Sequence, residues 1–469
     1  MVFSSILFLY LFFPSLLIIY FVIKHQTYRN WVLILFSFAF YAWGEPVWII
    51  LLLCASFAGY LFALAIEKYR GTPTAKRIFI LSICLNIGLL GFFKYSPFLV
   101  ENLNFLTGLH FPIPQVGLPI GISFFTFEII CYLTDTYKGA IKAPRSPMQM
   151  FLYVSFFPHL IAGPIIRFTD IEQQIKDRRI TAEGFSQGIN RFIIGLGKKV
   201  IIANLLGESV PLILGEAGGV DSFLGAWFGI CLYALQIYFD FSGYSDMAIG
   251  LGLMFGFTLK ENFNYPYISR SAGEFWRRWN MSLGGFFRDY VYIPLGGNRK
   301  HYTRNLFVVW FLTGFWHGAS WNFVIWGLYF GFLIMVERYF LQNLLDKLPR
   351  LVSHLYLTLA MLFGWVWFYF PDLHQALSTF KTMLGLSGKP LYTPELTIYF
   401  RENMVLFLIA IVASTPFFAS LFGIFKKRSR PALGSAVSWM HPVYNVVILS
   451  VATSLLIGST YNPFLYFRF

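Results

Sequence analysis

A chain of 469 residues in which 57% are hydrophobic, 20% aromatic and only 12% charged has too few charges for a water-facing surface, since a soluble domain carries about 25% charged residues. Lipid must be the solvent over much of it, which excludes an ordinary soluble protein. The formal net charge of +14 does not imply a nucleic-acid partner, because the basic residues fall mainly between apolar runs, where the positive-inside rule accounts for them.

A helix needs about 20 apolar residues to cross about 30 Å of hydrocarbon. Phe3–Ile23 is uncharged and long enough. It lacks a basic start and a small-residue cleavage site, so it reads as a permanent first span rather than a signal peptide. Asn30–Gly44 is shorter, Pro46–Ile66 is long enough, and Ile78–Phe93 is again short. The short runs cross only with thinning or buried polar ends. Ser222–Phe239 is near the limit. The uncharged stretch between Arg304 and Glu337 is too long for one helix and reads as two segments meeting near His317. Leu351–Phe370, Met404–Phe425 and Val443–Thr460 complete the set, with loops expected at about 372–402 and 426–442. The total is about 10–12 membrane segments, some short or re-entrant: an all-α polytopic membrane protein in a single membrane domain. Basic clusters follow alternate runs: Lys24 and Arg29; Lys68, Arg70, Lys76 and Arg77; Lys138, Lys142 and Arg145; Lys426, Lys427, Arg428 and Arg430. This alternation places the N-terminus outside and the basic loops in the cytoplasm. Cys54, Cys84, Cys131 and Cys231 lie in apolar runs without a C-x-x-C pair, as buried small hydrophobes would.

Residues 136–320 are different: polar, glycine-rich and irregular. From Asp240 to Arg304 eight Lys/Arg and five Asp/Glu stand among frequent Phe, Trp and Tyr. A solvated loop does not need Trp276 and Trp279, and a plain span does not tolerate Arg277, Arg278, Arg288 and Asp289. Irregular backbone at membrane depth is tolerated where it packs in protein or lines a cavity, so this zone is the candidate cavity.

Within it, His317 stands in Thr313-Gly-Phe-Trp-His-Gly-Ala-Ser320, inside an uncharged stretch, about 18 Å of helix from its charged start. An ionisable group at such depth is a functional candidate, and an imidazole can take a hydroxyl proton at neutral pH. The alternative is a histidine bonded to a backbone carbonyl. His159, bracketed by Pro158 and Pro164, suggests a broken helix and carries the same two readings. His354 is deep but without polar company, and His25, His110, His301, His374 and His441 look like loop or interface residues. Asn280 would share a helical face with Arg277 at i, i+3. Its amide could donate to a developing oxyanion or simply join two helices. Asp240, Ser242, Tyr244 and Asp246 follow a span, with Asp240 and Tyr244 at i, i+4. No His or Cys completes a metal site there, and ion pairs with nearby arginines are expected instead. Gly250-Leu-Gly252 and Gly256 lack the strand of a dinucleotide loop and suit close helix packing.

The run Tyr238-Phe-Asp-Phe-Ser-Gly-Tyr-Ser-Asp-Met-Ala-Ile-Gly-Leu-Gly252 resembles the membrane-bound O-acyltransferase (MBOAT) family, most closely its bacterial branch of alginate O-acetyltransferase membrane subunits. Glu261-Asn-Phe-Asn-Tyr-Pro-Tyr267, Glu274-Phe-Trp-Arg-Arg-Trp279, Arg288-Asp-Tyr290, Pro294-Leu-Gly-Gly-Asn-Arg299, Trp316-His-Gly318, Tyr41-Ala-Trp-Gly44 and Phe157-Pro-His-Leu-Ile-Ala-Gly-Pro-Ile165 fit as well. The resemblance implies a helical core with a central tunnel, divided as N-terminal spans (1–135), catalytic core (136–336) and C-terminal spans (337–469). It carries the deep catalytic histidine over to His317 and the second polar position to Asn280, where bacterial relatives usually have a second histidine. His159 matches a position common in the bacterial branch, its role open. The resemblance implies a multi-pass protein of the bacterial cytoplasmic membrane with no bound cofactor. Acetyl-CoA or an acyl-carrier thioester is the donor substrate, with Arg277, Arg278 and Arg288 steering its phosphates; Asp240, Tyr244, Asp289 and Trp316 complete the expected substrate-binding set. Besides lipid, the implied partner is an extracytoplasmic acetyltransferase that finishes transfer to a cell-envelope polysaccharide such as alginate, peptidoglycan or cellulose; nucleic acid is not. D-alanyl transfer to teichoic acid is the rival within the class; a non-catalytic transporter or scaffold is the rival outside it.

Overall fold

The computed structural model describes residues 1–215, 220–421, 431–459 and 465. The described residues form helices and no strand, as an all-α membrane protein requires. Seven helices are long and apolar enough to span: Ile49–Lys68, Pro73–Thr107, Phe223–Met254, Trp321–Lys347, Arg350–Tyr369, Pro394–Ala413 and His441–Gly458, with the shorter apolar Phe8–Val22 beside them. The last three basic residues of the run Lys426, Lys427, Arg428 and Arg430, like the first, lie outside the described residues.

The chain forms two compact units, one of residues 1–192 with 247–260, the other of 193–246 with 261–469. In the first, the hub is a buried guanidinium. Arg178 donates to the Phe255 carbonyl at 2.9 Å, to Asn30 Oδ1 at 2.6 Å and to the Tyr20 hydroxyl at 3.0 Å. It also lies over the Phe257 ring, 4.4 Å from the centroid. A planar five-donor group can satisfy three acceptors at once. It therefore fastens the helices Phe13–Val22 and Gln26–Gly44 to the turn at 255–257. The glycine run found in the sequence packs as expected, since a Cβ at Gly250 would stand 2.6 Å from the Gly188 carbonyl oxygen.

In the second unit, the helix Phe223–Met254 begins in this unit and continues as one element. The acidic motif thus lies inside a 32-residue helix, not after a span ending at Phe239. The reason is enclosure: 78% of its apolar window is buried inside protein, so polar side chains meet protein partners rather than lipid. Those partners are lysines, not the arginines expected. Lys199 Nζ lies 2.7 Å from Asp240 Oδ1, and Lys198 Nζ lies 2.6 Å from Asp246 Oδ2. Both lysines belong to a π-helical segment, Lys198–Asn204, whose wider turn presents adjacent side chains toward the same helix.

Other boundaries differ for local reasons. The span expected at Met404–Phe425 begins instead at Pro394, where proline at the first turn starts a helix, and ends at Ala413. The loop expected at 372–402 contains the helix Leu373–Met383, capped by Asp372, whose carboxylate accepts the His374 and Gln375 N–H groups. His374 and His441 are therefore helical, the latter in Pro431–Gly458. Cys54 and Cys84 are exposed on their helices rather than buried.

The two segments expected to meet near His317 are present as Tyr302–His317 and Trp321–Val336. They cross where neither can carry a side chain. A Cβ at Gly314 would lie 2.2 Å from the Phe323 carbonyl oxygen, and one at Gly327 would lie 2.2 Å from that of Trp310. Gly314→Ala and Gly327→Ala are each expected to cost about 1–3 kcal/mol, as overpacking does. The reading is a lowered thermal midpoint by fluorescence-detected size exclusion in detergent. Midpoints equal to wild type would show that this crossing is not tight.

Candidate active site

His317 is the last residue of its helix, placed there because Gly318 leaves the helical conformation for an extended one. It is 6% exposed. Its ring meets Trp326 at 4.9 Å and Phe368 at 5.1 Å between centroids, both edge-on, with Trp316 at 4.8 Å. Edge-to-face aromatic contacts are directional, so three rings hold one orientation of the imidazole.

Asn280 is also 6% exposed, but it does not share a helical face with Arg277. The helix Ala272–Trp276 ends before Arg277, and Asn280 adopts a left-handed conformation at φ 43° as the cap of Met281–Phe287. Asparagine is among the few residues that visit this region readily. The turn is latched by Asn262: its carbonyl accepts the Met281 N–H at 3.0 Å, its Oδ1 accepts the Ser282 N–H at 3.1 Å, and its amide donates to Ser245 Oγ at 3.2 Å. Asn264 N–H donates to the Arg278 carbonyl at 2.9 Å.

One aromatic cluster runs from His317 to the turn that carries Asn280. From His317 the rings run through Phe368 to Trp365 at 5.6 Å and on to Trp279 at 5.0 Å, next to Asn280. A second path runs from Trp326 to Trp276 at 5.3 Å. A site lined this way is largely dry, which strengthens any hydrogen bond to a developing charge.

The remaining candidates divide. Asp240 is a buried ion-pair partner of Lys199, and its Oδ2 accepts the Leu465 N–H at 2.8 Å. Lys199 also donates to Asn204 Oδ1 at 2.8 Å. Tyr244 is buried one turn beyond Asp240 on the same helix. Arg278 is engaged by Glu274 at 3.0 Å and by the Asn264 carbonyl, and Arg288 by Asp289 through two contacts of 2.7 and 3.0 Å. Arg277 is exposed. His354 does have polar company, for its Nδ1 donates to the Ser269 carbonyl at 2.9 Å.

His159 belongs to the first unit, in the short helix Phe157–Leu160, which is separated from Pro147–Ser155 by a break at Phe156, so the helix is broken as expected. It is wholly buried, with Nδ1 2.8 Å from Oε1 of the equally buried Glu128. Glu128 was not singled out by the sequence reasoning, nor were Lys199 and Glu337. The signal was present: each is an ionisable residue within or beside an apolar helix, where such groups are costly and have reasons to be there.

Comparison with known proteins follows the same direction. Residues 122–373, more than half of the chain, match the family described as MBOAT, membrane-bound O-acyltransferase family. The chain is 38% identical to the "Probable alginate O-acetylase AlgI" of Pseudomonas putida, over the whole of both chains. It is 34% identical to the "Peptidoglycan O-acetyltransferase" of Helicobacter pylori, covering 100% of this chain and 98% of the other. It is 28% identical to the "Teichoic acid D-alanyltransferase" of Bacillus subtilis over 70% of this chain and 80% of the other.

Removing one member of a buried ion pair strands the other charge, at a cost of about 3–5 kcal/mol. Lys199→Met is therefore expected to lower the thermal midpoint sharply, and Lys199→Met combined with Asp240→Asn to recover part of the loss. A single variant as stable as wild type would mean that the Asp240 carboxylate is not charged in the folded protein.

Proposed function

We propose that this chain, which belongs to the membrane-bound O-acyltransferase family, O-acetylates a cell-envelope or exported polysaccharide, taking the acetyl group from a cytoplasmic thioester and passing it across the membrane. The single observation that supports this most is the placement of His317 and the Asn280 turn in one buried aromatic cluster.

In this reading the acceptor hydroxyl loses its proton to the His317 imidazole as its oxygen attacks the thioester carbonyl. The Asn280 amide donates to the oxyanion that forms. Collapse breaks the carbon–sulfur bond, the imidazolium returns its proton to the departing thiolate, and the products are an acetyl ester and a free thiol. Acetyl-CoA fits the donor role. Of the three arginines expected to attract its phosphates, Arg277 suits best because it is exposed and feels Glu337 only through its field, whereas Arg278 and Arg288 are paired directly with Glu274 and Asp289. The basic loops support donor entry from the cytoplasmic side, with the N-terminus outside. The acceptor is either the polysaccharide or a relay hydroxyl on an extracytoplasmic partner transferase.

The test is base-labile acetate on purified envelope polysaccharides from cells making wild type or His317→Ala at matched membrane levels. Acetate is expected with wild type and a loss of at least about 100-fold with the variant, the scale of a lost general base. Equal acetylation by both would remove His317 from the chemistry. Ester-linked D-alanine in place of acetate would move the donor to the class used by the Bacillus subtilis relative.

A further inference from the structure

We propose that Glu337 is a positioning residue for acyl transfer, setting the place of Asn280 through the short helix that leads to it. This rests on the acyl-transfer reading above.

Glu337 is 3% exposed and follows a helix, Trp321–Val336, without a single charge. A carboxylate there is costly unless fully partnered. Its partners lie on two other elements, the helices Ala272–Trp276 and Arg350–Tyr369. Oε1 accepts the Ala272 N–H at 2.5 Å and Oε2 accepts the Gly273 N–H at 2.9 Å. The Tyr356 hydroxyl donates to Oε1 at 3.2 Å. Ala272 and Gly273 open the helix Ala272–Trp276, and the first N–H groups of a helix have no acceptor within it. An ionised carboxylate meets both at the positive end of the helix. Ser271 completes the start by accepting the Glu274 N–H at 3.1 Å.

What Glu337 holds is the near end of a short rod. Ala272–Trp276 runs through one turn to Asn280, eight residues on, and the turn is wound tightly by Trp279 N–H bonding to the Phe275 carbonyl at 2.9 Å. Asn262 latches the far end. A shift at Ala272 is therefore passed to Asn280 rather than absorbed between them. The loop before the rod is fastened too, by His354 at Ser269 and by the Tyr267 hydroxyl, which donates to the Ala234 carbonyl at 2.6 Å.

The position of Glu337 along its own helix adds the reason for this arrangement. Trp326, whose ring sets His317, lies eleven residues earlier on the same continuous helical run, about 16 Å away. One helix thus buttresses the imidazole at one end and, at its π-helical turn Glu337–Leu341, holds the asparagine segment at the other. Three donors converge on the carboxylate, so an acceptor-only group is required. Glu337→Gln keeps the shape but brings an NH2 donor against backbone N–H groups. Glu337→Asp keeps the carboxylate and shortens its reach.

The experiment uses membranes containing the full chain, with radiolabelled acetyl-CoA as donor and acetate incorporated into envelope polysaccharide as the readout. Glu337→Gln is expected to lower the maximal rate about 10- to 100-fold, the scale of a misplacement near 1 Å, while half-saturation by acetyl-CoA stays unchanged. Glu337→Asp is expected to recover part of the rate. In an Asn280→Ala background, Glu337→Gln is expected to have no further effect. Losses that multiply in the double variant overturn the proposal and leave the acyl-transfer reading intact, as does a wild-type rate in Glu337→Gln. A wild-type rate in Asn280→Ala alone overturns both this proposal and the assigned role of Asn280. If Glu337→Gln fails to accumulate, Tyr356→Phe carries the same test: it deletes one hydrogen bond to Oε1, with an expected loss of about threefold that again vanishes beside Asn280→Ala.

Discussion

A charge removed from water must find its counter-group inside the protein, and in a chain solvated mostly by lipid that constraint decides where almost every polar residue goes. Lys198 and Lys199 face Asp246 and Asp240 within one unit. Arg178 collects a hydroxyl, a side-chain amide and a carbonyl in the other. Glu128 sits against His159, and Glu337 against two backbone N–H groups. None of these groups stands alone. Each joins elements distant in sequence, so the polar residues act as the fasteners of a structure whose apolar surfaces have little reason to choose one another over lipid.

Helix packing supplies what the charges cannot. In a bilayer the approach of two helices is driven by close contact rather than by exclusion of water. The crossing of Tyr302–His317 and Trp321–Val336 at Gly314 and Gly327 brings backbone against backbone. That contact carries Trp326 to His317 and leaves the imidazole enclosed by rings. The same helix then runs on to Glu337. Packing and polar pairing therefore converge on a single element, and the two groups assigned to the chemistry are referenced to it.

Acyl transfer needs a base, a donor for the oxyanion and a dry place to hold both. His317 and Asn280 are both buried, and one aromatic cluster runs from His317 to Trp279, the neighbour of Asn280 in the chain. The left-handed backbone at Asn280 is a conformation that most residues avoid, kept here by the Asn262 latch. Such a conformation persists only where the surroundings over-determine it, in keeping with a side chain whose direction matters.

Much of this was legible before any coordinates. The low charge content and the length of the apolar runs determined a helical membrane protein, because hydrocarbon allows no other economical way to satisfy the backbone. The isolation of His317 in an uncharged stretch, the break at His159 and the packing role of Gly250 followed from depth, proline and glycine alone. The sequence also carried ordered motifs dense enough to indicate the family. It could not show that the acidic motif continues one long helix, since enclosure by protein rather than composition makes that tolerable. It could not choose lysines over arginines as the partners of Asp240 and Asp246, or separate Arg277 from Asn280, because a short helix ending after Trp276 depends on the bonds that Glu337 and Asn262 make from far along the chain. Composition and periodicity determined what kind of solvent surrounds this protein; which buried charge meets which partner was decided only by the tertiary structure, because pairing across separations such as 48 or 65 residues of chain leaves no local signal.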